Sequence, residues 1–228
     1  MAKLNEIIYQ IKNIKSGGIQ SDDVKISDEQ IVDQINYYRA KLIRQEVDRG
    51  GKVDPLLIQS LLGTGDNGLE VERVKFNRGQ PLSGKTVFKA KLKLPKAIST
   101  SKNNLVMFVG DNLLGRPYQR STPYKVQLDV TRSITGLVPK WFEFNESIYV
   151  ITEDPLTNLV VQLVAENPLV VLEFNNQLDP YNPFDIEYPL SSTMIDSIYK
   201  LMADTEDKIL GITDDTNDGQ DSPTNKQE

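Results

Sequence analysis

The stretch SDEQIVDQINYYRAKLIRQEVDRGG, residues 27–51, carries the strongest structural signal in the chain. Ser27 and Gln30 form a capping box, in which each side chain bonds the main-chain N–H of the other residue. Apolar side chains then recur at helical spacing at Ile31, Ile35, Tyr38 and Leu42. Gly50 and Gly51 follow where a helix would end. The stretch predicts a long amphipathic helix, and we expect Ile35, Tyr38 and Leu42 to face a packing partner within the subunit or at a subunit interface.

Shorter helical signals flank this stretch on both sides. Before it, apolar residues recur at helical spacing until Gly17 and Gly18, at Leu4, Ile7, Ile8, Ile11 and Ile14. After it, Asp54 and Pro55 offer an N-cap and a first helical position for a short apolar turn over Leu56–Leu62. Residues 1–62 are therefore predicted to form a helical part.

From Leu69 the hydrophobic period changes from about 3.6 to 2, which is typical of strands. Phe88, Ala90, Leu92 and Leu94 alternate with Lys89, Lys91 and Lys93, so one face of this strand is basic. A hairpin turn is predicted between Phe144 and Ile148. Residues 69–175 are interpreted as a β-rich part, with further strands at Val71–Phe76, Leu105–Val109, Tyr124–Val130, Lys140–Phe144 and Ser147–Ile151.

The remaining chain divides into three kinds of segment. Leu159–Ala165 fits a buried strand or a short helix, and Asn167 with Pro168 ends it in either case. Residues 176–203 are predicted to form an extended proline-rich segment and then a helix that is capped by Ser191 or Ser192. Residues 204–228 hold eight Asp and Glu with few apolar residues, and we expect them to be a disordered acidic tail. The predicted fold class is α+β.

Charge is sharply divided along the sequence. Residues 69–140 hold 14 Lys and Arg against four Asp and Glu, whereas residues 141–203 hold one against ten. Either the two segments lie side by side in one fold, or they meet across a subunit interface, or the basic segment contacts nucleic acid. Like charges in a row on one strand face are unfavourable, so Lys89, Lys91 and Lys93 are predicted to lie against an acidic surface or DNA.

The composition disfavours catalysis. The chain has no cysteine and no histidine, so it lacks the usual thiolate, imidazole base and imidazole metal ligand. We expect no enzymatic activity, no cofactor and no metal. No stretch approaches 18 uncharged apolar residues, so we expect no membrane partner and a protein that is made in a cytoplasm.

Residues 79–86, GQPLSGKT, match the phosphate-loop pattern. Such a loop must open a helix, because the helix N-terminus binds the phosphate. The residues after Thr86 instead alternate with period 2. A turn in a basic β-hairpin is therefore favoured, and a P-loop nucleotide-binding protein stays as an alternative, as does a DNA-binding module that uses the basic central segment.

Both ends of the chain resemble collar ring proteins of crAss-like phages, which are similar to the head-tail connector proteins of short-tailed phages. The stretches that carry the resemblance are Leu4–Tyr9, Ser21–Ile31, Tyr37–Gln45, Glu166–Pro168, Asp185–Leu190 and Met194–Met202.

The resemblance implies a structural virion protein that forms a homo-oligomeric ring, commonly twelvefold, and has no catalytic residues. The ring would stack below the portal, around the channel through which genomic DNA passes. Its partners would be other copies of the chain, the portal or a neighbouring ring, and tail proteins, with DNA as a non-specific contact. Assembly would take place in the host bacterial cytoplasm.

Overall fold

The computed structural model of the chain describes residues 2–15, 26–62, 68–77, 82, 85–111, 116–125 and 138–213, with side chains up to residue 203. Helices and a mixed sheet are both present, which confirms the α+β class. The longer helices are α1 (Leu4–Lys15), α2 (Asp28–Asp48), α3 (Pro168–Phe174) and α4 (Ser192–Thr213). The strands are β1 (Gln59–Leu61), β2 (Leu69–Val74), β3 (Val87–Ala90), β4 (Val106–Gly110), β5 (Gln119–Arg120), β6 (Lys140–Phe144), β7 (Ser147–Ile151) and β8 (Asn158–Leu163).

The predicted caps of α2 are confirmed. The Ser27 side chain accepts from the main-chain N–H of Gln30, and the Gln30 side chain accepts from the main-chain N–H of Ser27. At the other end, Gly50 has φ +90° and donates to the oxygen of Val47, while Gly51 donates to the oxygen of Glu46. This pair of bonds is a Schellman motif, which needs a left-handed residue that glycine adopts without strain.

The strands form one curled sheet in the order β1-β8-β2-β3-β7-β6-β5, and β4 also pairs with β8. The pair β5 and β6 is parallel, and the other described pairs are antiparallel. Asn145 and Glu146, with φ of 47° and 57°, make the tight turn between β6 and β7, so the predicted hairpin is confirmed. The run Leu159–Ala165, which fitted either a strand or a short helix, begins within β8 and is therefore a strand.

Helix α2 is shared by two hydrophobic cores. Its first half packs with α1, α4 and the segment before α4 in a helical core that includes Ile7, Ile35, Tyr188 and Ile198. Ala40 and Ile43 in its second half pack with Leu105 and Val164 beside the sheet. A separate core lies within the sheet and includes Leu69, Trp141, Val150 and Val161. The helix predicted most strongly from sequence thus connects the helical part to the sheet.

Two predicted element boundaries in and beside the sheet are wrong. After a single 3₁₀ turn at Pro55–Leu57, Ile58 becomes extended and the chain enters β1, because Leu61 pairs with Val161 and is buried. The strand predicted to reach Leu94 ends at Ala90. Beyond it, the N–H of Lys91 bonds Glu70 and the N–H of Leu94 bonds Glu146, so the chain bends and leaves Leu92 exposed.

Two predictions fail outside the sheet as well. Tyr124 lies in a helical turn over residues 123–125 and not in a strand, because the Thr122 hydroxyl accepts from the N–H of Lys125; residues 126–130 of that predicted strand lie outside the described residues. Helix α4 runs to Thr213 and does not stop near Ala203, since no proline follows Ala203 before Pro223. Residues 214–228 of the predicted tail are not among the described residues.

The proline-rich segment docks on its own subunit. Main-chain bonds join Leu4 to Ile186, Asn5 to Phe184 and Tyr188 to Ala2. The Lys3 ammonium also pairs with the Asp185 carboxylate at 2.8 Å. This hydrogen-bonding places the segment against the start of α1 of the same chain.

Candidate functional site

The predicted lysine row finds acidic residues within its own subunit. Lys89 lies opposite Glu72 in the β2–β3 register, and the Lys91 ammonium lies 2.7 Å from Glu70. The Lys93 ammonium lies 3.3 Å from Glu146. Hydrogen bonding to Lys91 lowers the pKa of the Glu70 carboxyl. These pairs are exposed and contribute little to stability, but they supply an acidic counterpart for each lysine. A contact of this row with another subunit stays a prediction.

The helical face that was predicted to meet a packing partner lies against the helical core of the same subunit. Ile35 is fully buried there. Tyr38 and Leu42 are half-buried and pack against the same core. Their packing partners therefore include α1 and α4 of the protomer, and a role for these three residues between subunits stays a prediction.

The GQPLSGKT motif precedes a strand. Within the motif, Leu82, Lys85 and Thr86 are described, and the N–H of Lys85 donates to the oxygen of Leu82 in a turn. β3 begins at Val87, where a phosphate loop would begin a helix whose N-terminal amides bind the phosphate. The Thr86 hydroxyl accepts from Arg73 at 3.5 Å. This local structure matches the predicted basic β-hairpin.

Arg39 joins the helical part to the sheet. Its side chain is fully buried, and burial lowers the pKa of its guanidinium. The Nη1 group donates to the main-chain oxygen of Ala165 at 2.7 Å, and Nε donates to that of Pro189 at 3.2 Å. The buried Tyr188 hydroxyl donates to Asn36 one turn earlier on α2. The Arg39 side chain thus connects α2 to the residues that follow β8 and to the segment before α4.

Helical spacing in the sequence indicates that Arg39 is buried. Residue 39 lies four positions after Ile35 and four before Ile43, so helical spacing places it on the buried face. A charge at such a position is buried only where acceptors surround it. The acceptors themselves are main-chain oxygens from distant residues, which no local pattern reveals.

A groove runs between α2 and the start of α3. It encloses 390 Å³, and its lining includes Asn36, Tyr37, Arg44, Lys96, Glu166 and Val170. At its wall, the Glu166 carboxylate bonds Arg44 at 2.5 Å and Lys96 at 2.8 Å. Tyr37 is 64% exposed and Val170 is 41% exposed. We call this feature the α2–α3 groove.

Two N–H groups at this groove lack an acceptor within the described part of the chain. They are Nδ2 of Asn36 and Nε of Arg44, and both atoms are buried. A buried donor without a partner costs free energy, which an acceptor brought in by a ligand would recover. The groove therefore combines exposed apolar surface with two lining residues whose buried N–H groups have no acceptor in the described part of the chain.

Three of the stretches that carried the family resemblance meet at this joint. Arg44, from the stretch 37–45, meets Glu166, from the stretch 166–168. Arg39, from the same helix, meets Pro189, from the stretch 185–190. Segments more than 100 residues apart in sequence thus build one joint and the groove beside it.

Two further features bear on function. Among the described residues, no group of three or more Asp and Glu is arranged to hold a metal ion. The described part of the chain also contains no helix that combines the length and the apolar character needed to span a bilayer.

Comparison with known proteins identifies the family. A family model described as phage tail ring protein 2 matches residues 6–223. No curated protein matches the chain. The family match covers nearly the whole sequence and confirms the resemblance to ring proteins of crAss-like phages that was seen at both ends. The chain therefore belongs to the phage tail ring protein 2 family and is a structural, ring-forming component of the virion tail.

Proposed function

We propose that twelve copies of this chain form a ring of the head-to-tail connector, stacked between the portal and the tail around the channel for genomic DNA. The family match across residues 6–223 is the observation that carries this proposal. In a closed ring each subunit presents one surface to the next copy and a different surface to the previous one. Such a ring needs rigid subunits, so that errors in angle do not accumulate around the circle.

The structure of the subunit supports this role. Arg39 fixes the helical part against the sheet, and Ala40 and Ile43 pack between them. The segment before α4 is bound to α1 by main-chain hydrogen bonds. The helical part, the sheet and the segment before α4 are thus joined by buried contacts and hydrogen bonds, which suits a structural element that transmits load between a capsid and a tail.

The proposal is tested by assembly of the purified full-length chain, alone and with a portal protein. Twelve chains of 25.7 kDa give a particle of about 308 kDa, which native mass spectrometry distinguishes from other ring sizes. Negative-stain images should show rings with a central opening, and stacking on the portal when both are mixed. A chain that stays monomeric both alone and with portal would contradict the proposal.

The lysine row is proposed as a contact between neighbouring copies in the assembled ring. The side chain of Lys93 is 78% exposed and that of Lys91 is 51% exposed, so both can reach acidic groups beyond their own subunit. The segment 141–203 of a neighbouring copy, with ten acidic residues against one basic residue, would supply them. A DNA-facing row is the competing arrangement, and it predicts a steep loss of duplex affinity with salt.

A further inference from the structure

Tyr181 is presented to solvent by an ordered turn. It exposes 89% of its surface, although large aromatic side chains are usually covered. It lies in the sequence Asp179-Pro180-Tyr181-Asn182-Pro183, which we call the Tyr181 turn. The Asp179 carboxylate accepts from the N–H of Tyr181 at 2.9 Å, and the two prolines fix their own φ angles. The turn is therefore shaped before anything binds to it.

Both ends of the Tyr181 turn are anchored. On one side, Asn176 has φ +54° and bonds the oxygen of Glu173, while Gln177 bonds the oxygen of Leu172, so a Schellman motif fixes the exit from α3. On the other side, Asp185 bonds Lys3 and Asn5 at the start of α1. Little conformational entropy is lost when a partner covers a turn held in this way.

We propose that in the ring the Tyr181 turn of one subunit inserts into the α2–α3 groove of the next. This inference rests on the proposed ring and names the residues that make its repeated contact. The groove is open and lined by Tyr37 and Val170, which give an aromatic ring apolar surface to cover. An entering tyrosine buries about 150–250 Å².

Polar groups on the two sides are also complementary. The Tyr181 turn carries oxygens without basic side chains, namely the Asp179 carboxylate, the Tyr181 hydroxyl and the main-chain carbonyls. The groove wall pairs Arg44 and Lys96 with Glu166 and also includes Asp33, so its charges balance, but buried N–H groups of Asn36 and Arg44 lack acceptors in the described chain. A rotation of either side chain would bring such an N–H to an entering oxygen, which would satisfy a donor that is otherwise costly to bury.

The α2–α3 groove and the Tyr181 turn lie at different places on the subunit, as head-to-tail assembly requires. The groove includes the first turn of α3, with Asn167 and Val170, whereas the Tyr181 turn follows the last turn of the same helix. The exposure of Tyr181 shows that its own groove does not hold it. Two different surfaces that fit each other on identical chains give a heterologous contact, which closes into a ring when the rotation between subunits permits.

The first test compares Tyr181→Ala with wild type in ring assembly, measured by light scattering and native mass spectrometry. Because Tyr181 is exposed, the variant should keep the wild-type melting temperature. Association between subunits should weaken about 30-fold or more, as for a central aromatic contact residue. Tyr124→Ala, which removes another exposed tyrosine, is the matched control and should assemble normally.

The second test uses the directional character of the contact. Val170→Trp should fill the groove and block assembly while its own Tyr181 stays available. A mixture of Tyr181→Ala and Val170→Trp chains then has one compatible pairing, so it should give one-to-one heterodimers and no rings. Rings in either variant alone, or a mixture that contains only monomers, would overturn the proposed contact.

A third measurement does not depend on whether Val170→Trp folds. The wild-type chain has no cysteine, so single cysteines can be introduced without background. Rings assembled from equal amounts of Asn182→Cys and Val170→Cys chains, which both keep Tyr181, should give a covalent dimer with a short thiol-reactive cross-linker. A mixture of Tyr124→Cys and Val170→Cys chains should give none. Absence of wild-type rings would contradict the proposed function itself, whereas wild-type rings with no cross-link between residues 182 and 170 would overturn this contact alone.

Discussion

The guanidinium of Arg39 donates to the main-chain oxygen of Ala165 at 2.7 Å, in the interior of the subunit. Through Nε the same group also bonds the oxygen of Pro189. Arginine keeps its charge at any ordinary pH, so these oxygens compensate a buried cation. The placement of three distant segments therefore depends on one side chain.

Replacing Arg39 should destabilise the protein strongly. Arg39→Met keeps most of the length but leaves the oxygens of Ala165 and Pro189 without a donor, and it should lower the free energy of unfolding by about 3 kcal/mol. Arg39→Lys retains the charge and can serve one oxygen, so its loss should be smaller. Urea denaturation followed by circular dichroism measures both. A Met variant as stable as wild type would show that these bonds do not hold the segments together.

Ile35 and Leu42 should differ in their effect on stability. Ile35→Ala leaves a cavity in the helical core and should cost about 2–5 kcal/mol, whereas Leu42→Ala, at a half-buried position, should cost less. Thermal and urea unfolding of the two variants provide the comparison. If either variant kept wild-type stability but lost ring assembly, that residue would be reassigned to the subunit interface.

Asn175 should protect the outer edge of β1. Its Nδ2 donates to the oxygen of Ser60 at 3.0 Å, and its Oδ1 accepts from the N–H of Leu62 at 2.8 Å, as a neighbouring strand would. Asn175→Ala should lower stability by about 1–2 kcal/mol and increase aggregation, because the open edge can pair with other chains. Asn175→Asp keeps only the acceptor and should be intermediate. Equal aggregation rates for all three proteins would argue against an edge-protecting role.

Tyr188 should make the fold sensitive to alkali. Burial raises the pKa of its phenol above the usual 10.0, since the ionised form is disfavoured in the core. Its contribution to stability is therefore complete below pH 10 and decreases as the pH rises further, by about 1.4 kcal/mol per pH unit while the folded state keeps its proton.

The measurement for Tyr188 is the urea midpoint at about pH 9 and about pH 11 for wild type and Tyr188→Phe. The Phe variant loses the hydrogen bond to Asn36 at both pH values, but it should lose less stability between them than wild type does. Parallel losses in the two proteins would show that Tyr188 does not set the alkaline limit.

The lysine row should contribute to assembly if it contacts a neighbouring copy. Changing Lys89, Lys91 and Lys93 together to glutamate should block ring formation and leave a folded monomer, since exposed ion pairs add little to stability. The same change at Lys41, Lys52 and Lys102, which are exposed elsewhere, is the control. Normal rings from the first variant would exclude the row from the interface, and loss of DNA retention alone would place it at the channel.

The sequence by itself determined the elements whose signals are local. The capping box and the Schellman end of α2 and the turn at Asn145 and Glu146 depend on neighbours within a few residues. The groups that donate and accept the hydrogen bonds at the ends of α2 lie within a few residues of each other. The absence of cysteine and histidine restricted the chemistry in the same direct way.

Only the tertiary structure decided where these elements meet. β3 ends at Ala90 despite continued alternation, because the chain bends there and Leu94 donates to the oxygen of Glu146 in the turn between β6 and β7. Arg39 is buried because the oxygens of Ala165 and Pro189 surround it, and Glu166 completes the α2–α3 groove from more than 100 residues away. These partners are distant in sequence, and their contacts depend on packing, which periodicity and local spacing do not encode.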